Sequence, residues 1–96
     1  MTQQVVVTTK SKTSIKPLVE AAIHNEKRLI THGIQRTRQK LDTFEKQFHM
    51  SSSQFEQRYK TGEIEETLDF ADWLMEIKAL ELLEEQVQAL DDARLD

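Results

Sequence analysis

FHMSSSQFEQRYKTGEIEETLDFADW, residues 48 to 73, is the stretch that decides how this chain folds. It holds two helix start signals and a glycine placed as a helix stop, and on either side lies a long segment with apolar residues at helical spacing. Such a corner folds one extended amphipathic rod into a hairpin of two. Ser51 followed by Gln54 fits a capping box, in which the Ser hydroxyl accepts from the Gln54 amide while the Gln54 side chain reaches back to the Ser51 amide. Met50 before the cap and Phe55 four positions into the helix have the spacing of a hydrophobic staple. Gly62 ends this short helix in a left-handed conformation that costs glycine no steric penalty. Asp69 with Asp72, flanked by Leu68 and Trp73, repeats the cap and staple, with negative charge at the positive end of the helix dipole.

Outward from the corner, the preceding helix starts near Ser14 to Lys16, with Pro17 in its first turn where no internal hydrogen bond is lost. Val19, Ile23, Ile30, Ile34, Thr37, Leu41, Phe44 and Phe48 recur at steps of 4, 7, 4, 3, 4, 3 and 4, one continuous seam. Ile15, Leu18, Ala22 and Leu29 widen it only in the half far from the corner. Gly33, inside the helix, should cost about 1 kcal/mol relative to Ala and marks close packing or a weak point. After the corner, Phe70, Trp73, Ile77, Leu80, Leu83, Val87 and Leu90 supply the complementary seam. A second stripe, Ala71, Met75, Leu82, Ala89 and Ala93 with Ala79 beside it, runs along the opposite side. One helical partner cannot cover both sides, so a second packing surface is expected, for self-association or for another protein. The short helix is expected to cover the stripe near Ala71 through Phe55 and Tyr59, and to leave Leu82 and Ala89 open.

The expected organisation is a flexible tail over residues 1–13 and a single all-α hairpin domain over 14–96, with helices over 14–49, 52–61 and 69–92. Val5, Val6 and Val7 have no evident partner strand, and a competing reading makes them a strand that adds to a partner's sheet. At about 1.5 Å per residue the long helices span roughly 50 and 35 Å, a slender object with a thin core. Two hairpins docked as a symmetric four-helix bundle would bury both stripes.

The 96 residues carry a net charge of −4, unevenly divided: residues 1 to 49 hold nine Lys and Arg against four acids, residues 50 to 96 four against thirteen. The two arms therefore attract, although exposed ion pairs contribute only about 0 to 1 kcal/mol each. Arg28, Gln35, Arg36, Gln39, Lys40, Lys46 and Gln47 make a basic face that could follow phosphates, but without aromatic residues it reads more simply as solvated surface. There is no Cys, no apolar run of membrane-spanning length and no signal-peptide pattern, and the expectation is a soluble cytoplasmic protein. His24, His32 and His49 lack ligand spacing, and no phosphate loop or nucleophile elbow is present. Neither catalysis nor a cofactor or metal is expected.

The block FEKQFHMSSSQFEQRYKTGEIEETLDFADW, residues 44 to 73, followed by an acidic Leu-rich helix, resembles small helical prokaryotic proteins that are often encoded beside a second small protein and regarded as antitoxins of type II toxin-antitoxin pairs. The resemblance covers residues 34 to 92 and rests on Phe48, Met50, Ser51, Phe55, Tyr59, Glu63, Ile64, Asp69 and Trp73, with His49 where those proteins usually have Gly or a similar residue. It implies an acidic helical protein that binds a small, ribonuclease-like toxin and blocks its active surface. The contact would use Met75, Leu82 and Ala89, the wide apolar end at Leu18 and Leu29, or the tail ordering on binding.

Overall fold

The computed structural model describes residues 3–10 and 14–95. In chain order these form β1 (Gln3–Val5), α1 (Lys16–Phe48), α2 (Ser52–Lys60), α3 (Leu68–Asp92) and β2 (Ala93–Leu95). The architecture is all-α apart from the two short strands, with α1 packed along α3. The whole measures 60 × 22 × 18 Å, which leaves room for only a thin core.

Each helix end has a local cause. Pro17 sits in the first turn of α1, and the helix stops at Phe48 because His49 turns left-handed at φ 54°, the one non-glycine residue with positive φ among those described. For a side chain with a Cβ that conformation is unfavourable by roughly 1–2 kcal/mol. The capping box of α2 is complete: Ser51 Oγ accepts from the Gln54 amide at 3.1 Å and Gln54 Oε1 accepts from the Ser51 amide at 3.1 Å. From α1 the Glu45 carboxylate accepts the Ser52 amide at 2.6 Å, satisfying a further free N–H of that first turn. At the other end Gly62 has φ 77°, its amide donates to Tyr59 O at 3.2 Å, and the Glu63 amide donates to Arg58 O at 3.0 Å. Those two bonds are the Schellman pattern.

The start of α3 differs from expectation. The cap is Thr67, whose Oγ1 accepts the Phe70 amide at 3.1 Å, and Asp69 lies inside the first turn, where its charge still faces the positive end of the dipole. Leu68 is exposed and forms no staple. The N-terminal segment also differs: Gln3–Val5 pairs in parallel with Ala93–Leu95, Gln3 opposite Ala93 and Val5 opposite Leu95. A flexible tail was expected there; residues 1, 2 and 11–13 of it lie outside those described. The antiparallel hairpin brings the start of α1 and the end of α3 to the same pole, so the segments beyond them meet.

The core is concentrated at the corner. Leu41, Phe55, Trp73 and Ile77 form its buried cluster, with Phe44, Phe48, Met50, Tyr59, Phe70 and Leu80 packed around it. Trp73 and Phe55 are fully buried, their rings parallel within 1° and 4.0 Å apart. Phe44 and Phe48 stack on the same indole from α1 at 5.5 and 5.7 Å. The indole N–H donates to Ser52 Oγ at 2.9 Å, so burying it leaves no donor unpaired. Along the seam Ile30, Thr37 and Leu41 are buried and Ile23 and Ile34 half-buried; opposite them Ile77 is buried, while Leu80, Leu83, Val87 and Leu90 are half-buried.

At Gly33 a Cβ would stand 3.4 Å from Leu83 Cδ1 and 3.7 Å from its Cδ2, the edge of ordinary contact. Packing here is close but does not require glycine, and the helix pays its flexibility cost for no steric gain. Gly33→Ala should raise stability by about 0.5–1 kcal/mol, read as a higher denaturation midpoint with unchanged helicity. A lower midpoint would mean that Leu83 cannot yield and that the close approach is obligatory.

Candidate protein-binding surface

The two long helices form a flat pair, and α2 lies over one of its broad faces at the corner. There Phe55 stacks on Trp73, and Lys78 Nζ meets Glu56 Oε2 at 3.0 Å. The groove beside α2 is acidic, lined by Ser53, Glu56, Glu81, Glu84 and Glu85. The opposite broad face has no covering element among the described residues. Three depressions run along it: one at the corner end lined by Lys40, Thr43, Phe44, Asp72, Met75 and Glu76, one midway lined by Glu26, Ile30, Gln86, Ala89 and Leu90, and one of about 540 Å³ at the far end lined by Ile15, Leu18, Val19, Ala22, Ile23 and Leu90. The middle and far depressions share Glu26 and Leu90, so the far half of this face is one apolar trough.

The predicted partner-binding residues are all open to solvent, Leu18 at 62%, Leu29 at 54%, Met75 at 68% and Leu82 at 55%, with Ala89 exposed as well. They do not form one patch. On the helical turn Leu18 and Leu29 belong to the uncovered broad face, whereas Met75, Leu82 and Ala89, seven residues apart, run along the outer edge of α3, with Leu82 directly opposite Trp73. The stripe is bare even near Ala71, where α2 was expected to cover it: Phe55 and Tyr59 turn instead into the aromatic cluster around Trp73 and Phe70. The rings find more contact with other rings than a stripe of alanines offers.

Charge joins the arms as the sequence suggests. Lys27 pairs with Asp91 at 2.5 Å, Lys40 with Glu76 at 3.4 Å and Arg38 with Glu84 at 3.6 Å, partners descending α3 as they ascend α1. These pairs are partly exposed and fix alignment more than stability. The basic face of α1 is correspondingly engaged: besides Lys40, Lys46 pairs with Asp42 at 2.9 Å and Arg28 donates to Asn25 Oδ1 at 2.8 Å. Among the described residues no three His, Asp or Glu side chains come together as a metal site, and no helix is long and apolar enough to cross a membrane. Compared with protein families, curated proteins and solved structures, the chain shows no match.

Three contacts of the corner were not anticipated: Glu45 on the Ser52 amide, Ser52 on the indole, and Tyr59 on Glu66. Only tertiary placement reveals them, because each joins different elements. The Tyr59 hydroxyl donates to Glu66 Oε1 at 2.9 Å, and this bond, then desolvation and the carboxylate charge, raises the phenol above its ordinary pKa of 10.0. A raised folded pKa favours the fold below the unfolded value and loses that contribution as pH climbs through the folded one. The chain has a single Tyr. Its tyrosinate absorbance should therefore titrate as one transition above pH 10.0, and Glu66→Ala should move the midpoint down. An unmoved midpoint would show that the bond does not form in solution.

Proposed function

We propose that this chain is a non-catalytic binding module, an antitoxin of the cytoplasm that neutralises a small basic, ribonuclease-like toxin by direct contact. The observation that carries the reading is the bare apolar stripe Met75, Leu82 and Ala89 on a helix holding eight acids against one Lys. An exposed row of this kind inside a strongly negative field suits a partner with an apolar ridge on a basic surface. The resemblance of residues 34 to 92 to antitoxins of paired gene systems gives that partner its class. A toxin that must hold RNA is basic, and an acidic cover competes for the same surface.

A second reading is favoured by the thinness of the core: a homodimeric scaffold in which two hairpins form a four-helix bundle and no toxin takes part. Nucleic-acid binding through the basic face of α1 is the weakest reading, since Lys40 and Lys46 already have acidic partners within the chain. The antitoxin reading is tested by capturing the tagged chain from nuclease-treated lysate of its source cells. One small basic protein is expected in fixed ratio, toxic when expressed alone and harmless with this chain. Leu82→Glu should weaken that capture tenfold or more while helicity is kept. Absence of any stoichiometric companion, or a companion without toxicity, would overturn it.

A further inference from the structure

We infer that the uncovered broad face of the hairpin is the seat of a second copy of this chain, related by a two-fold axis parallel to the helices, and that the outer edge of α3 stays free for the partner. The inference rests on the binding-module reading only for that last clause; the dimer stands or falls alone. Its far half is apolar, with Ile15, Leu18 and Ala22 facing Leu90 across the trough, and Leu29 exposed beside it. Its outline, 60 Å by 22 Å, exceeds the roughly 800 Å² per partner of a standard interface. An apolar trough rimmed by charge is what a two-layer helical bundle covers.

Charge selects both the occupant and its orientation. α1 carries seven Lys and Arg against four acids, and α3 one Lys against eight acids. A two-fold axis along the helices lays α1 of each copy over α3 of the other, whereas an axis across them lays α1 on α1 and α3 on α3. Only the first arrangement sets Lys40 of one copy level with Glu76 of the other in the corner half. Within the chain Lys27 stands beside Asp91 and Lys40 beside Glu76. The same level therefore brings Leu29 of one copy against Leu90 of the other. Leu82, on the outer edge, is not enclosed.

The test uses the whole chain, which has no Cys. Light scattering should give twice the 11.2 kDa chain mass. Leu29→Glu should give the single mass with helicity retained, and Leu82→Glu should remain a dimer. Should Leu29→Glu fail to fold, single-cysteine variants keep the proposal falsifiable: Leu29→Cys mixed with Leu90→Cys should form a disulfide-linked pair, and Leu29→Cys alone should not. A wild-type monomer, a Leu29→Glu dimer, or a self-linked Leu29→Cys would each overturn it. Loss of partner capture by a dimeric Leu82→Glu leaves the dimer intact and bears on the edge alone.

Discussion

The stack of Phe55 on Trp73 is the contact on which the rest of the structure depends. An isolated pair of long helices has a seam but little depth, and helix α2 adds a third wall only at the corner. Phe55 is the one fully buried residue of α2, and it lies flat on an indole that Phe44 and Phe48 approach from α1. One ring thus ties all three helices. The hydrogen bond from the indole to Ser52, and the Glu45 carboxylate on the Ser52 amide, hold the start of α2 in the register that makes the stack possible.

Away from the corner the constraint changes from packing to charge. Burial thins along the seam, while ion pairs from α1 to α3 continue to its far end at Lys27 and Asp91. Exposed pairs of this kind are individually weak, so the far half of the hairpin is aligned rather than tightly held. The exposed Leu18, Leu29 and half-buried Leu90 lie in that half. Fold and surface share a cause: a chain long enough for two extended helices, with one short helix to cover one face at one end.

Much of this was legible because it is local. Ser51 with Gln54, Gly62 and the two seams each announce themselves within a few residues, where periodicity and capping chemistry act directly. Thr67 and Asp69 are both good cap residues two positions apart, and the sequence does not rank them; the choice depends on where the loop leaves the aromatic cluster. The pairing of Gln3–Val5 with Ala93–Leu95 was hidden because strands of three residues have no period to read, and their neighbourhood exists only once the hairpin closes. The exposed side chains of the candidate surface were named from spacing alone. Their division into a broad face and an outer edge was not readable, because it depends on which side α2 takes, and that is decided by Phe55 choosing Trp73 over the alanine stripe.

The most direct test is the unfolding of Phe55→Ala in denaturant, followed in parallel by Trp73 fluorescence and helicity against the unaltered chain. If the stack ties the three helices, removing the ring should cost about 3–5 kcal/mol, and both signals should be lost in one shared transition at lower denaturant. A cost below about 1 kcal/mol, or helicity that persists after the Trp73 environment is lost, would contradict the account and make α2 an appendage of an independently stable pair.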